Sequence, residues 1–345
     1  MSWRETFKHL LPEALRPMAR RGYFAARGAS ERLQALVSRR HNMYLGARDS
    51  ALFQAALRGN MNHNCREMHV FMQYRMLLDA AAKIGKPLTG RILEIGACGH
   101  PGMALLLLLG GADKVWLNNV FPIANRLPES WAQNATVLMR LAGLAKRDLS
   151  DILKRRDDGD YAVKDELLAL PPPCPCEDLR FDDGSFDMIF SNAVLEHVRE
   201  PIDVLRNLHR MLATNGWFVH AIDLRDHRDF NKPLEFLALT EAAYRIEDPY
   251  GNRHRASDWL RDFAASGFSI GWTILSVPHA LTGAGGTDVY KMALDGGGES
   301  DCDSLEQVNP WVAPATRDRF VAPFNAHDLR DLSVTGVTVA GQKIG

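Results

Sequence analysis

Cysteine is scarce in this chain. Cys65, Cys98, Cys174, Cys176 and Cys302 are odd in number and irregularly spaced. Cys174-Pro-Cys176 has no second pair at a metal-ligand spacing, so no zinc site is expected and a reduced, cytoplasmic compartment fits better. Charge of one sign is lacking too: the 345 residues sum to −1, which removes the footprint of a nucleic-acid binder. The longest apolar run, Met103 to Leu109, falls far short of the ~20 residues a membrane span needs. The basic N-terminus has no signal-peptide core. No internal repeat is visible. With 46% hydrophobic and 24% charged residues, the composition is that of a soluble globular chain, long enough for one decorated α/β domain.

The most informative stretch is Arg91-Ile-Leu-Glu-Ile-Gly-Ala-Cys-Gly-His-Pro-Gly102. Ile92, Leu93 and Ile95 predict a buried strand, Gly96, Gly99 and Gly102 a loop, and Pro101 the start of a helix. Such a loop aims backbone N–H groups and a helix N-terminus at a ligand with polar or anionic groups, and glycine lets that ligand approach the backbone. The dinucleotide fingerprint G-x-G-x-x-G fails here, because Cys98 stands two after Gly96.

Glu94, an acid two before the first glycine, has the placement found in S-adenosylmethionine (SAM) sites, where the carboxylate orders the loop and faces the cationic methionine end. A second segment, Glu177-Asp-Leu-Arg-Phe-Asp-Asp-Gly-Ser-Phe-Asp-Met-Ile-Phe-Ser-Asn-Ala-Val-Leu-Glu-His-Val198, follows at the matching distance. On these two motifs the chain resembles the class I SAM-dependent methyltransferases, in the branch that includes ubiquinone and menaquinone C-methyltransferases. The resemblance spans roughly Met68 to Phe268. It implies a doubly wound, Rossmann-like sheet of seven mostly parallel strands with an antiparallel seventh. It also implies S-adenosyl-L-methionine as cofactor, held by Glu94, Gly96, Ala97, Cys98 and Gly99. Members usually carry an acid for the ribose at the end of the second strand; this chain has Asn118 and Asn119, which bond ribose without charge assistance. The usual adenine acid is replaced by Pro175, leaving Glu177, Asp178 or backbone near Cys176 for that contact. Ser191 and Asn192 close the cofactor set at the end of the fourth strand.

Two parts are expected: a basic helical extension over 1–60 and a methyltransferase domain over 61–345. The first fifty residues hold ten Lys/Arg against four Asp/Glu, a balance of +6, with Trp3, Phe7, Leu10, Leu11 and Leu15 near helical spacing. This reads as a helix packed on the domain, or as a segment that contacts an anionic membrane surface peripherally or lids the active site. Helices are predicted over 65–84, 201–212 and 255–266, and strands over 114–120, 217–222, 268–277 and 332–340. An insertion occupies about 123–176, its charged stretch from Lys146 to Glu166 reading as a solvated helix face. A Gly-rich flexible loop is expected over about 283–310. Tyr74 and Arg75, on the helix before the first strand, are candidates to reach ligand.

Ligands of open parallel sheets lie outside the carboxyl ends of the strands. After the fifth strand that rule collects Asp223-Leu-Arg-Asp-His-Arg-Asp-Phe230, with His220 just inside it. Three readings stay open. His227, Asp223 or His197 is a general base for an acceptor hydroxyl, with His220 and Asp226 beside the acceptor. Asp223, Asp226 and His227 hold a divalent cation. Or the acids pair with Arg225 and Arg228 and are structural. The stretches His220–His227 and Asn252-Arg-His-Arg-Ala-Ser-Asp-Trp259 are similar to bacterial methyltransferases of surface polysaccharide and sugar modification. The expected reaction is therefore methyl transfer to a small-molecule or glycan acceptor, with O-methylation ahead of C- or N-methylation and of a non-catalytic SAM-binding role.

Overall fold

A computed structural model describes residues 67–228, 232–248, 251–278, 289–293, 312 and 314–344. The 1–60 extension lies outside these residues. Helix α1 (Glu67–Ile84) precedes β1 (Gly90–Ile95), α2 (Gly102–Leu109), β2 (Ala112–Asn118) and α3 (Glu129–Leu141). Three short strands follow, β3 (Leu153–Arg155), β4 (Tyr161–Val163) and β5 (Leu168–Ala169). Next come β6 (Phe186–Asn192), α4 (Pro201–Met211), β7 (Leu212–Asp223), α5 (Ala256–Ala265), β8 (Phe268–Pro278), β9 (Val289–Ala293) and β10 (Gly336–Lys343).

The sheet runs β5-β2-β1-β6-β7-β10-β8-β9. The β5-β2-β1-β6-β7 half is parallel throughout. Strand β10 inserts antiparallel between β7 and β8, as expected of a last strand, although it begins at Gly336 after a short helix at Leu329–Ser333. The doubly wound, Rossmann-like expectation holds, with an eighth strand added: β9 pairs antiparallel with β8 at the edge, inside the stretch expected to be a flexible loop. The rest of that stretch is outside the described residues.

Alternation along the strands divides the interior into two layers. Ile92, Met188, Phe190, Trp217 and Val219 face one core with α1, α2 and α3. Leu93, Ile95, Ile189, Phe218 and Ile222 face a second with α4 and α5. Parallel strands covered on both faces need this near-continuous apolar character. Helix α2 is buried along its whole length, which is why its sequence is apolar all round. A third cluster, with Leu234, Phe236, Tyr244, Phe320 and Phe324, packs the segment after β7 against the segment before β10.

The charged stretch Lys146–Glu166 is a correction. Only Leu149–Ile152 within it is helical, and Leu153 to Val163 form the antiparallel hairpin β3–β4, with its turn at Gly159 (φ +88°). Ile152, Leu153, Ala162 and Val163 are buried, so the apolar residues at the strand ends decide the structure and the charges remain at the surface.

Candidate functional site

Helix α2, following β1, packs on one face of the sheet and α4, following β6, on the other. The chain therefore diverges between β1 and β6, which opens a crevice beyond their carboxyl ends. The register sets Ile95 beside Asn118 on one side and Ser191 on the other, with His220 next to Ser191.

The glycine loop is stitched to the end of β2. The N–H groups of Gly96 and Ala97 both donate to the Asn118 carbonyl, at 2.9 and 3.0 Å. The Asn119 amide donates to the Ala97 carbonyl at 2.5 Å and accepts from the Phe121 N–H at 3.2 Å. Asn118 donates to the Cys174 carbonyl at 3.0 Å. Both asparagines thus hold the loop and the proline-rich segment in place, and Asn119 has both ends of its amide engaged. Glu94 is buried at the end of β1 and Cys98 is half-buried.

Two glycines serve a purpose other than ligand approach. Gly96 adopts φ +76°, and a Cβ there would stand 2.2 Å from Val194 Cγ2. A Cβ on Gly102 would meet Trp131 at 2.6 Å and His100 at 2.7 Å. Neighbouring protein, in the first case from the loop after β6, fills the space each glycine leaves.

On the adenine side of the expected site, Glu177 lies in a 3-10 turn, Cys176–Asp178, where it accepts from the Arg199 N–H at 3.3 Å and from the Cys176 thiol at 3.4 Å. Asp178 and Asn192 are exposed. Ser191 is fully buried, its hydroxyl 2.7 Å from His220 Nδ1.

Two acceptor-side expectations, at His220 and Tyr74, need correction. His220 has no exposed surface and stacks on Phe218 and Phe263; burial pushes its imidazole down to about 3, so it is a neutral core histidine. Tyr74 is buried under α2, its hydroxyl 2.0 Å from where a Cβ on Gly110 would be, and burial raises it to about 12. Arg75 is exposed on α1. The acids of the loop after β7 pair with arginines, in line with the structural alternative. Asp223 accepts from Arg225 Nε and Nη2 at 2.9 and 2.6 Å. Asp226, buried, is clasped by Arg228, with Nε at 2.8 Å. Burial resists ionisation of Asp223, yet the bonds from Arg225 and His227 outweigh it and hold the carboxyl well below the usual range. A carboxylate so held is a poor proton acceptor.

The remaining residues converge. Glu196 and His197 occupy the 3-10 turn Leu195–His197 after β6, and His227 reaches them from the loop after β7. The two imidazole rings lie 4.8 Å apart, and His227 Nε2 is 3.4 Å from Asp223 Oδ2. Asn252 fixes the turn: its N–H donates to the Glu196 carbonyl, and its side chain to those of Leu195 and Val198. Glu196 is only 8% exposed, and neither carboxylate oxygen has a hydrogen-bond partner among the described residues. Burial raises its carboxyl to about 8. For His227 burial disfavours the charged form, but Asp223 and Glu196 prevail and raise it. Glu196 was not singled out in the sequence, although an acid adjacent to His197 at a strand end was the available signal.

Residues 166–220 match the family profile described as "Methyltransferase domain". The match covers 55 of the 345 residues. The matched segment contains β6 and its following turn, hence Glu196 and His197. Among solved structures the chain is similar to an S-adenosylmethionine dependent methyltransferase from Mesorhizobium loti, at 15% identity over 77% of this chain and 96% of that one, TM-score 0.37. It is also similar to geranyl diphosphate C-methyltransferase from Streptomyces coelicolor A3(2), at 14% identity over 84% and 86%, TM-score 0.41. No curated protein matches the chain.

Proposed function

We propose that this chain is a SAM-dependent methyltransferase that transfers the methyl group to a hydroxyl of a small-molecule or glycan acceptor bound beyond the carboxyl ends of β6 and β7. The observation that carries this reading is the Glu196–His197–His227 group at that end of the sheet. It lies beside the strand that bears the glycine loop, and no structural hydrogen bond from the described residues occupies the Glu196 carboxylate. The residues expected to hold the cofactor suit that role. Glu94 stands at the end of β1, the backbone of Ala97 to Gly99 follows it, and Asn192 is exposed at the crevice. Asn118 and Asn119 hold the loop, with Glu177 or Asp178 on the adenine side. SAM supplies a methyl group already activated on a sulfonium.

A neutral hydroxyl must lose its proton as its C–O bond forms. The acceptor-side group addresses that proton; the Asp223–Arg225 pair restrains the loop that carries His227. The glycan lean rests on the likeness of His220–His227 and Asn252–Trp259 to enzymes of sugar modification. A screen of acceptors by S-adenosylhomocysteine release tests it. Turnover with hydroxyl acceptors is expected, with His227→Ala about a hundredfold slower and SAM affinity little changed. Turnover confined to amine or carbon acceptors, or SAM binding with no turnover on any acceptor, overturns the O-methylation reading.

A further inference from the structure

The geometry points to a metal site: Glu196, His197 and His227 bind one divalent transition-metal ion, of the zinc, manganese or iron(II) class. One ligand atom from each lies within 4.8 Å of the others. Two imidazoles and one carboxylate are the ligand set of open catalytic zinc centres and of facial-triad iron sites, whereas magnesium and calcium favour all-oxygen shells.

The second, independent observation is Glu196 itself. A carboxylate more than nine-tenths buried, with both oxygens unpartnered among the described residues, is costly unless something compensates it. Here it lines a cavity of about 30 Å³ together with His197, Asp223, His227 and His254. That volume has room for an ion with a water. The local charge also permits a cation. Arg225 is paired with Asp223 and Arg228 with Asp226, so both arginines lining the cavity are already matched by acids. The same pairs exclude the Asp223, Asp226 and His227 set read from sequence, because both acids are already clasped. Asn252 pre-positions two of the three ligands by fixing the Leu195–His197 turn.

The ion's use in catalysis, lowering the affinity of a bound hydroxyl for its proton, rests on the O-methylation reading; metal binding does not. The test is therefore read without any acceptor. The full chain, stripped with chelator, is titrated calorimetrically with Zn²⁺ and Mn²⁺, and with Co²⁺ while its visible ligand-field bands are followed. One ion per chain is expected. Glu196→Gln and His227→Gln should each weaken it at least tenfold, and Asp226→Asn should leave it within about twofold, with circular dichroism confirming that each variant is folded. Absence of binding by the wild-type chain at 100-fold molar excess overturns the site. So does equal binding by wild type and Glu196→Gln, or a loss seen only with Asp226→Asn.

Discussion

At the scale of single residues, buried polar groups separate structural roles from chemical ones. His220 and Glu196 are both buried titratable groups. His220 has the Ser191 hydroxyl on Nδ1 and aromatic rings on its faces, whereas the Glu196 carboxylate has no hydrogen-bond partner among the described residues. The His220 imidazole sits at about 3 in the folded chain against 6.5 as its ordinary value. Between those values the unfolded chain takes up a proton that the folded core refuses. Its contribution to stability is therefore complete above the upper value and is lost as pH falls toward the lower one. His220→Gln should flatten the acid limb of the stability profile across that window by about 1.4 kcal/mol per pH unit. Urea unfolding of both proteins at a series of pH values measures this; parallel profiles would show that His220 titrates normally.

At the scale of elements, the sequence announced the strands of the parallel half and the glycine turn, because burial on both faces imposes apolar residues such as Ile92, Leu93 and Ile95. It could not announce partners from distant elements. Val194 fills the space beside Gly96 from about a hundred residues away, and the hairpin β3–β4 owes its form to four buried residues flanking a charged turn. The asparagines ending β2 show the same limit. Motif comparison makes them weak substitutes for a ribose acid, yet the Asn119 amide N–H donates to the Ala97 carbonyl. Asn119→Asp, which restores the acid, removes that donor and brings two oxygens together. It should destabilise the chain by about 1–3 kcal/mol and weaken SAM binding. Thermal melts and SAM calorimetry decide between this and the ribose reading, under which the acid tightens SAM.

At the scale of the whole molecule, the acceptor-side loop depends on the end of the chain. Arg255 is fully buried, and its guanidinium donates to the Leu224 carbonyl at 2.8 Å, to those of Asp331 and Leu332 at 3.3 and 3.2 Å, and to that of Val334. It thereby ties the residue after Asp223 to the start of α5 and to the helix leading into β10. Burial lowers its affinity for protons to about 10, which still leaves it charged at neutral pH. Asp331, bonded to the Ser257 N–H and hydroxyl at 2.9 and 2.6 Å, closes the same junction from the other side. Arg255→Met keeps much of the apolar stem but leaves four buried carbonyls without their donor, so a loss of about 3–5 kcal/mol is expected. Arg255→Lys should recover little of it, because one ammonium cannot span carbonyls that a planar fork serves together. The decisive comparison is regional. Hydrogen exchange in Arg255→Met should quicken first around Leu224 and residues 331–334 while β1, β2 and α2 stay protected. Uniform acceleration across both layers would instead make Arg255 a general core residue with no particular hold on the acceptor side.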